Sequence, residues 1–244
     1  MHLFEGTGLL VLTITLVVVI SVSARVLALR AGLEAPRATR IAIATFVVAA
    51  LWLGVTFTAA NAGFYRAFAS VPPRVPLTAL SVVVGVLLLS RTGTFERLLD
   101  VIPLWWPIAI QVFRVPVELL LFALYERGEV PVQMTFEGRN FDVLVGLSAP
   151  IVAYAVYRGK LGPLGVRVWN VASLGLLLNI VVTAISSMPG PLHHEWGGVV
   201  PAIIAEAPFV WLPAFLVPLA ALGHIVALRK VSVEVAKERG TLAA

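Results

Sequence analysis

The chain has no cysteine among its 244 residues. Disulfides, thiolate nucleophiles, Fe–S clusters and Cys-ligated metals are therefore excluded within it. Lysine is almost as scarce, with three residues against fifteen arginines. Lys160, Lys230 and Lys237 all fall in segments read below as cytoplasmic, so no intramembrane lysine exists to form a retinal Schiff base. Charge of either sign is sparse: 13% of residues are charged, about half the roughly 25% of an ordinary soluble domain. No GxSxG elbow, P-loop, GxGxxG or DxxD-type diphosphate motif occurs. The net charge of +5 comes without a basic stripe interleaved with aromatics, so nucleic acid is not an expected partner.

What the chain has in abundance is apolar sequence. It is 59% hydrophobic with a mean hydropathy of +0.97, and its apolar residues come in blocks. Runs of about 18 or more such residues read as membrane-spanning helices. Backbone groups in lipid must be satisfied within their own segment, which makes these runs helices; the short alternating segments of a β-barrel are absent. The expected fold is an all-α integral membrane bundle of about seven spans. These run approximately over residues 7–29, 41–60, 75–90, 102–125, 141–157, 168–187 and 209–228. Residues 1–228 would form one transmembrane domain and 229–244 a short cytoplasmic tail. The first span is not read as a signal peptide, because Glu5 precedes it and Arg25 and Arg30 follow it, the reverse of a leader's charge order.

Orientation follows from the basic residues. The segments 25–40, 91–100, 158–167 and 229–244 hold thirteen of them and the opposite set four, with Arg114 the last. The positive-inside rule then places the N-terminus outside and the C-terminus in the cytoplasm. Trp105, Trp106, Trp169 and Trp211 fall near span ends, as in an interfacial aromatic belt. The connection 188–208 is the longest and lacks Lys and Arg. Its VVPAIIA stretch is too short to span, and lies in the interface or folds back into the bundle. No internal repeat is evident.

The fourth span, around QVFRVPVELLLF, carries Gln111, Arg114 and Glu118 at i, i+3 and i+7, on one helical face that Tyr125 continues. Arg114 and Glu118 are spaced to pair at i,i+4. A mid-membrane arginine costs about 2.5–3.5 kcal/mol on insertion scales, so it must face the bundle interior and find partners. Pro116 removes a backbone donor and frees a carbonyl one turn back. The pair is either packing glue or a binding or proton-handling site, and intramembrane ionisable groups favour the latter. The segment MTFEGRNFDVLVGLSAP supplies Glu137, Asn140 and Asp142 at the outer edge of the fifth span; a polar turn with a helix cap is the plainer account of it. Asn179 and Thr183, with Ser186 and Ser187, make a polar stripe on the sixth span that also suits interhelical hydrogen bonding. His224 reads as a packed group towards the cytoplasmic end, out of reach of the outer acidic residues. His193 and His194, with Glu195 and Glu206, are weak metal candidates that match no ligand spacing; no metal site is assigned, and the cofactor, if any, is not specified.

The stretches QVFRVPVELLLF and MTFEGRNFDVLVGLSAP resemble segments of a group of uncharacterised small bacterial multi-pass membrane proteins, over roughly residues 103–228. That resemblance implies a bacterial inner-membrane location, in keeping with the arginine bias, and carries no activity with it. The leading functional expectation is a protein that binds or transports a small molecule or ion in a polar pocket in the outer half of the bundle. Gln111, Arg114, Glu118, Glu137, Asn140, Asp142, Asn179 and Thr183 would line that pocket, with Arg114 anchoring an anionic or carbonyl group and the 188–208 loop as cover. One alternative is a membrane-embedded enzyme acting on a lipid or isoprenoid-like substrate, with Glu118 or Asp142 as general acid or base. Another is an accessory subunit of a membrane complex. Lipid is the expected solvent, and self-association is left open.

Overall fold

A computed structural model describes residues 3–190 and 192–242. It is helical throughout, with no strand among the described residues. The helices are α1 Leu3–Arg30, α2 Ala35–Asn61, α3 Arg74–Leu89, α4 Gly93–Val101, α5 Trp105–Ala109, α6 Arg114–Glu126, α7 Asp142–Tyr157, α8 Pro163–Ser187 and α9 Val217–Leu242. Five stretches are long and apolar enough to cross a membrane: α1, α2, the α5–α6 unit, α8, and α9 with the turn before it. The expected third and fifth spans form α3 and α7. Each is 16 residues long, about 24 Å of helix against a hydrocarbon core of about 30 Å.

The helices show lipid-facing chemistry. Val11, Ile14, Val18, Val48, Leu51 and Val55 on α1 and α2 are exposed. Polar groups point inward instead, as expected where the surrounding medium is apolar. Segments expected on one side of the membrane gather at one end of the bundle. Glu5 pairs with Arg127 at 2.7 Å, Arg66 with Glu206 at 2.9 Å, and Gln133 Nε2 donates to the Trp196 carbonyl at 3.0 Å. The opposite end is tied by Lys237 to Asp100 at 2.7 Å, which holds the Asp100 carboxyl below its usual range. The α1 helix is built into the bundle, with Leu9, Thr13, Leu16 and Val17 buried.

Three features depart from the expected layout. Residues 93–101, expected as a loop, form the amphipathic α4, whose N-terminus is capped by the Thr92 hydroxyl accepting from Phe95 N at 3.4 Å. Residues beyond 228, expected as a tail, continue α9. They stay ordered because Lys230 is buried and its ammonium donates to the Leu99 and Asp100 carbonyls at 2.6 and 3.2 Å, satisfying the C-terminal end of α4. Trp211, expected in an interfacial belt, is buried, and its indole donates to the Leu53 carbonyl at 3.1 Å.

The π-helical turn Leu212–Leu216 leads into α9, and its cause is legible. Pro218 has no N–H to give the Ala214 carbonyl four residues back. Trp52 of α2 supplies the missing donor: its Nε1 lies 2.9 Å from the Ala214 oxygen. Removing that donor leaves a carbonyl unsatisfied away from water, at a cost of about 1–3 kcal/mol. Trp52→Phe is therefore expected to lower unfolding stability in mixed micelles by that amount. An unchanged midpoint would show that the proline-freed carbonyl finds another donor.

Candidate functional site

The fourth span is not one straight helix. Pro107 and Pro116 both lie in it, and between them residues Ile110–Phe113 tighten into a 3-10 turn joining α5 to α6. At three residues per turn, side chains three apart eclipse, so Gln111 stays on the stripe of Arg114. Like Arg114 it faces α9, where its Nε2 donates to the Ala220 carbonyl at 3.0 Å. Gly223 makes the space, because a Cβ there would run into Gln111 Nε2.

Arg114 opens α6 and is buried to 2% exposure. Its expected partner was Glu118, but the ion pair it makes is with Asp142, Nη2 to Oδ2 at 3.0 Å. Asp142 is the first residue of α7, where a carboxylate is also favoured by the helix dipole. The other arm of the guanidinium, Nη1, lies 3.3 Å from His224 Nε2. The tautomer of His224 follows from its second contact. Asn170 Nδ2 donates to the Val166 carbonyl at 2.9 Å, so its Oδ1 is the atom 2.8 Å from His224 Nδ1. Nδ1 must then carry the proton, and Nε2 is left as an acceptor for Arg114. Asn170 fixes the histidine, and the histidine and Asp142 together fix the arginine.

Glu118 is held by a different group. Its Oε2 accepts from Asn140 Nδ2 at 2.6 Å, and the same nitrogen donates to the Met134 carbonyl at 3.1 Å. The Asn140 carbonyl oxygen accepts from the Asp142 backbone N–H at 3.1 Å. Asn140 thus bridges Glu118 to the start of α7, and its side chain is fully buried. Arg114, Glu118, Asn140 and Asp142 are thus linked in one buried network, with Gln111 beside it on the α9 contact. Four of their buried atoms have no hydrogen-bond partner in the protein: Asp142 Oδ1, Arg114 Nε, Gln111 Oε1 and Arg114 Nη2, which is ion-paired only.

Beside this network lies a cavity of about 150 Å³. Arg114, Glu118 and Asp142 form its buried polar wall, the half-buried Arg74 also lines it, and Phe113, Val117, Leu121, Leu177, Ile180 and Leu216 are among its apolar residues. The 188–208 segment does fold back into the bundle: Ile203, Ile204 and Ala205 are buried, and Met188, Pro189, Gly190, Leu192 and Ile204 close over the cavity.

Gln111 and Asn140, expected to line the pocket, are fully buried behind its wall and line no part of it, and the remaining candidates are elsewhere. Glu137 is exposed and lines no part of the cavity. Asn179 donates to the Arg139 carbonyl at 2.6 Å and so clamps the loop before α7. Thr183 is buried, and its carbonyl accepts from Ser186 and Ser187; it does not reach the cavity. The polar stripe on α8 therefore serves hydrogen bonding within the helix and to the loops packed beside it. The weak metal candidates are not assembled: Glu206 holds Arg66, His193 Nε2 lies 3.5 Å from Glu195, and His194 packs edge-on against Trp196. No group of three metal-ligating side chains occurs among the described residues.

His224 and Asn170 are the members that sequence reasoning missed. A span ending at residue 228 puts His224 near its cytoplasmic end. In the structure α9 continues to Leu242, and His224 stands level with Arg114, its Nε2 3.3 Å from Nη1. Two in-span polar residues of compatible chemistry were the available signal. Comparison with known protein families, curated proteins and solved structures finds no match.

Proposed function

We propose that this is a bacterial inner-membrane protein of seven crossings, N-terminus outside, that binds and transports a small molecule with an apolar body and a cationic or hydrogen-bond-donating head. The observation that carries the reading is the cavity whose apolar walls meet the buried Arg114, Glu118 and Asp142. Chemistry selects the head group. Two carboxylates face one buried guanidinium, which is already engaged by Asp142 and His224, and the other cation on the lining, the half-buried Arg74, is held by the Phe64 carbonyl at 2.8 Å and the Phe64 ring. The wall therefore has spare acceptors, including Asp142 Oδ1. A buried surplus carboxylate is costly unless it is neutralised or paired, and a ligand ammonium or hydroxyl would meet that need. An anionic head, the sequence-based expectation for Arg114, would find Nη1 taken by His224 and Nη2 by Asp142, with Nε alone left to it and two carboxylates nearby.

Size fits as well. A cavity of about 150 Å³ lined by aliphatic and aromatic side chains accepts benzene in a well-studied soluble protein. A ring with one amine-bearing carbon is the matching scale. With protein in lipid nanodiscs and empty nanodiscs as reference, 19F NMR is expected to show saturable binding of 4-fluorobenzylamine and none of 4-fluorobenzoate. A hydrogen bond to a charged group contributes about 1.5–3 kcal/mol, so Glu118→Gln is expected to weaken the amine by about ten- to a hundredfold. Preferential binding of the benzoate would reverse the assignment of the head group. Failure of both probes would end the small-molecule reading. Amine flux into proteoliposomes tests the transport half.

A further inference from the structure

We infer that the chamber is loaded from the bilayer, through a lateral gap between α3 and α8, and that its occupant is a single-chain amine amphiphile. This rests on the binding reading above and adds the route and the tail.

The end of the chamber nearest water is roofed and tied down. Gly190 lies so close to segment 67–68 that a Cβ would sit 2.7 Å from the Phe68 carbonyl oxygen, and its φ of 138° is one that side chains avoid. His194 N donates to the Ser186 carbonyl at 2.8 Å, and the Trp196 indole donates to the Ser186 hydroxyl at 3.0 Å. Trp196 is in turn held by Gln133 at 3.0 Å and by the Arg139 guanidinium 4.7 Å from its ring. Arg66 and Glu206 add an ion pair across the same end at 2.9 Å. The roof is thus fastened to α8, to the loop before α7 and to the segment before α3. At the opposite end the layer of Gln111, Asn170 and His224 is fully buried.

The side is different. α3 and α8 each pack against α9, and no extensive contact joins α3 to α8 among the described residues. Pro76 and Ala79 of α3 and Val181 and Ala184 of α8 line the chamber while only half-buried. Just outside them Leu80 and Leu178 are exposed, at 56% and 62%. An apolar opening flanked by apolar, outward-facing side chains leads into hydrocarbon and not into water. Helices in lipid have no hydrophobic drive to close such a gap. The enclosed volume holds a head group and a few carbons, so a longer tail would leave through the opening and remain among lipid chains, at no cost in exposed apolar surface.

The absence of native cysteine makes the opening directly measurable. Ala184→Cys labelled with bimane and reconstituted in bilayers is expected to be quenched by lipids brominated along their acyl chains and unaffected by aqueous iodide. Quenching by iodide with none by brominated lipid would overturn the lateral route, whatever the protein binds. For the occupant, the probe is dodecylamine partitioned into nanodiscs. Its association rate is expected to fall at least tenfold in Ala184→Trp, and likewise in Ala79→Trp on the opposite wall, which guards against one variant misfolding. Glu206→Gln, which loosens the roof, is expected to leave the rate unchanged. A faster rate in Glu206→Gln with unchanged rates in both tryptophan variants overturns the portal and leaves the binding reading standing. No binding of dodecylamine by the wild type, with 4-fluorobenzylamine still bound, overturns the amphiphile alone; loss of both overturns the binding reading beneath it.

Discussion

Arg114→Met is expected to destabilise the folded protein by about 3–5 kcal/mol, the range for breaking a buried ion pair by removing one partner. The cost arises less from the lost attraction than from what is left behind. Asp142 loses its ion-pair partner at 3.0 Å, and His224 Nε2 loses the group it faces at 3.3 Å. Asp142 and Glu118 then line one cavity wall with no cation on it beyond the half-buried Arg74. Adding Asp142→Asn to Arg114→Met removes the stranded carboxylate, so the double variant is expected to recover a large part of the loss. Arg114→Lys separates charge from geometry. A single ammonium cannot spread two donors toward Asp142 and His224 as a planar guanidinium does, and an intermediate stability is expected. Unfolding in mixed micelles gives all four corners of the cycle. Additive single effects for Arg114→Met and Asp142→Asn would show that the pair contributes no coupling. The unfolded chain in a membrane also finds polar partners, which favours the lower end of the range.

How much of this was readable in advance differs from one residue to the next. The helical class and the long spans followed from apolar blocks, since hydrocarbon leaves a backbone few other choices. The grouping of Gln111, Arg114 and Glu118 followed from their shared helical face, while Asn140 and Asp142 were read at the outer edge of the next span and added as pocket lining. Which of them pair did not follow. An i,i+4 spacing made Arg114–Glu118 the local candidate, but local spacing says nothing about a carboxylate that α7 delivers from another helix. His224 was read towards the cytoplasmic end because its span was taken to close at residue 228, whereas α9 runs on to Leu242. The Lys230 ammonium, read as part of a tail, caps the end of α4, a partner not visible until α4 itself is recognised. Asn179 and Thr183 of the α8 stripe were placed in the pocket although interhelical hydrogen bonding was the plainer account of them. Hydrogen-bonding side chains in lipid serve packing at least as often as ligands, and here Asn179 serves the loop.

Gly146→Val is expected to be the other large effect, at or above the roughly 3 kcal/mol upper end for overpacking. α7 crosses the start of α6 at this glycine. A Cβ on it would lie 2.7 Å from Val115 Cγ2, 2.9 Å from the Val115 backbone nitrogen and 3.3 Å from Arg114 Cβ. A side-chain clash can be relieved by a rotamer, whereas a backbone nitrogen moves only with its helix. Asp142 lies four residues before Gly146, on the same face of α7, so the displacement that accommodates a side chain draws Asp142 away from Arg114. The variant is therefore expected to lose both stability and binding of 4-fluorobenzylamine. Two companions isolate the cause. Gly175→Ala places a Cβ where nothing lies within 4 Å, and is expected to leave stability unchanged or slightly raised, since alanine is the better helix former by about 1 kcal/mol. Val115→Ala in a Gly146→Ala background removes the contact at Cγ2 and retains the one at the nitrogen. Partial rescue by that pair locates the strain in both atoms. Full rescue would mean that the helices meet through side chains alone, and that the close approach of backbones is not what sets Asp142 over Arg114.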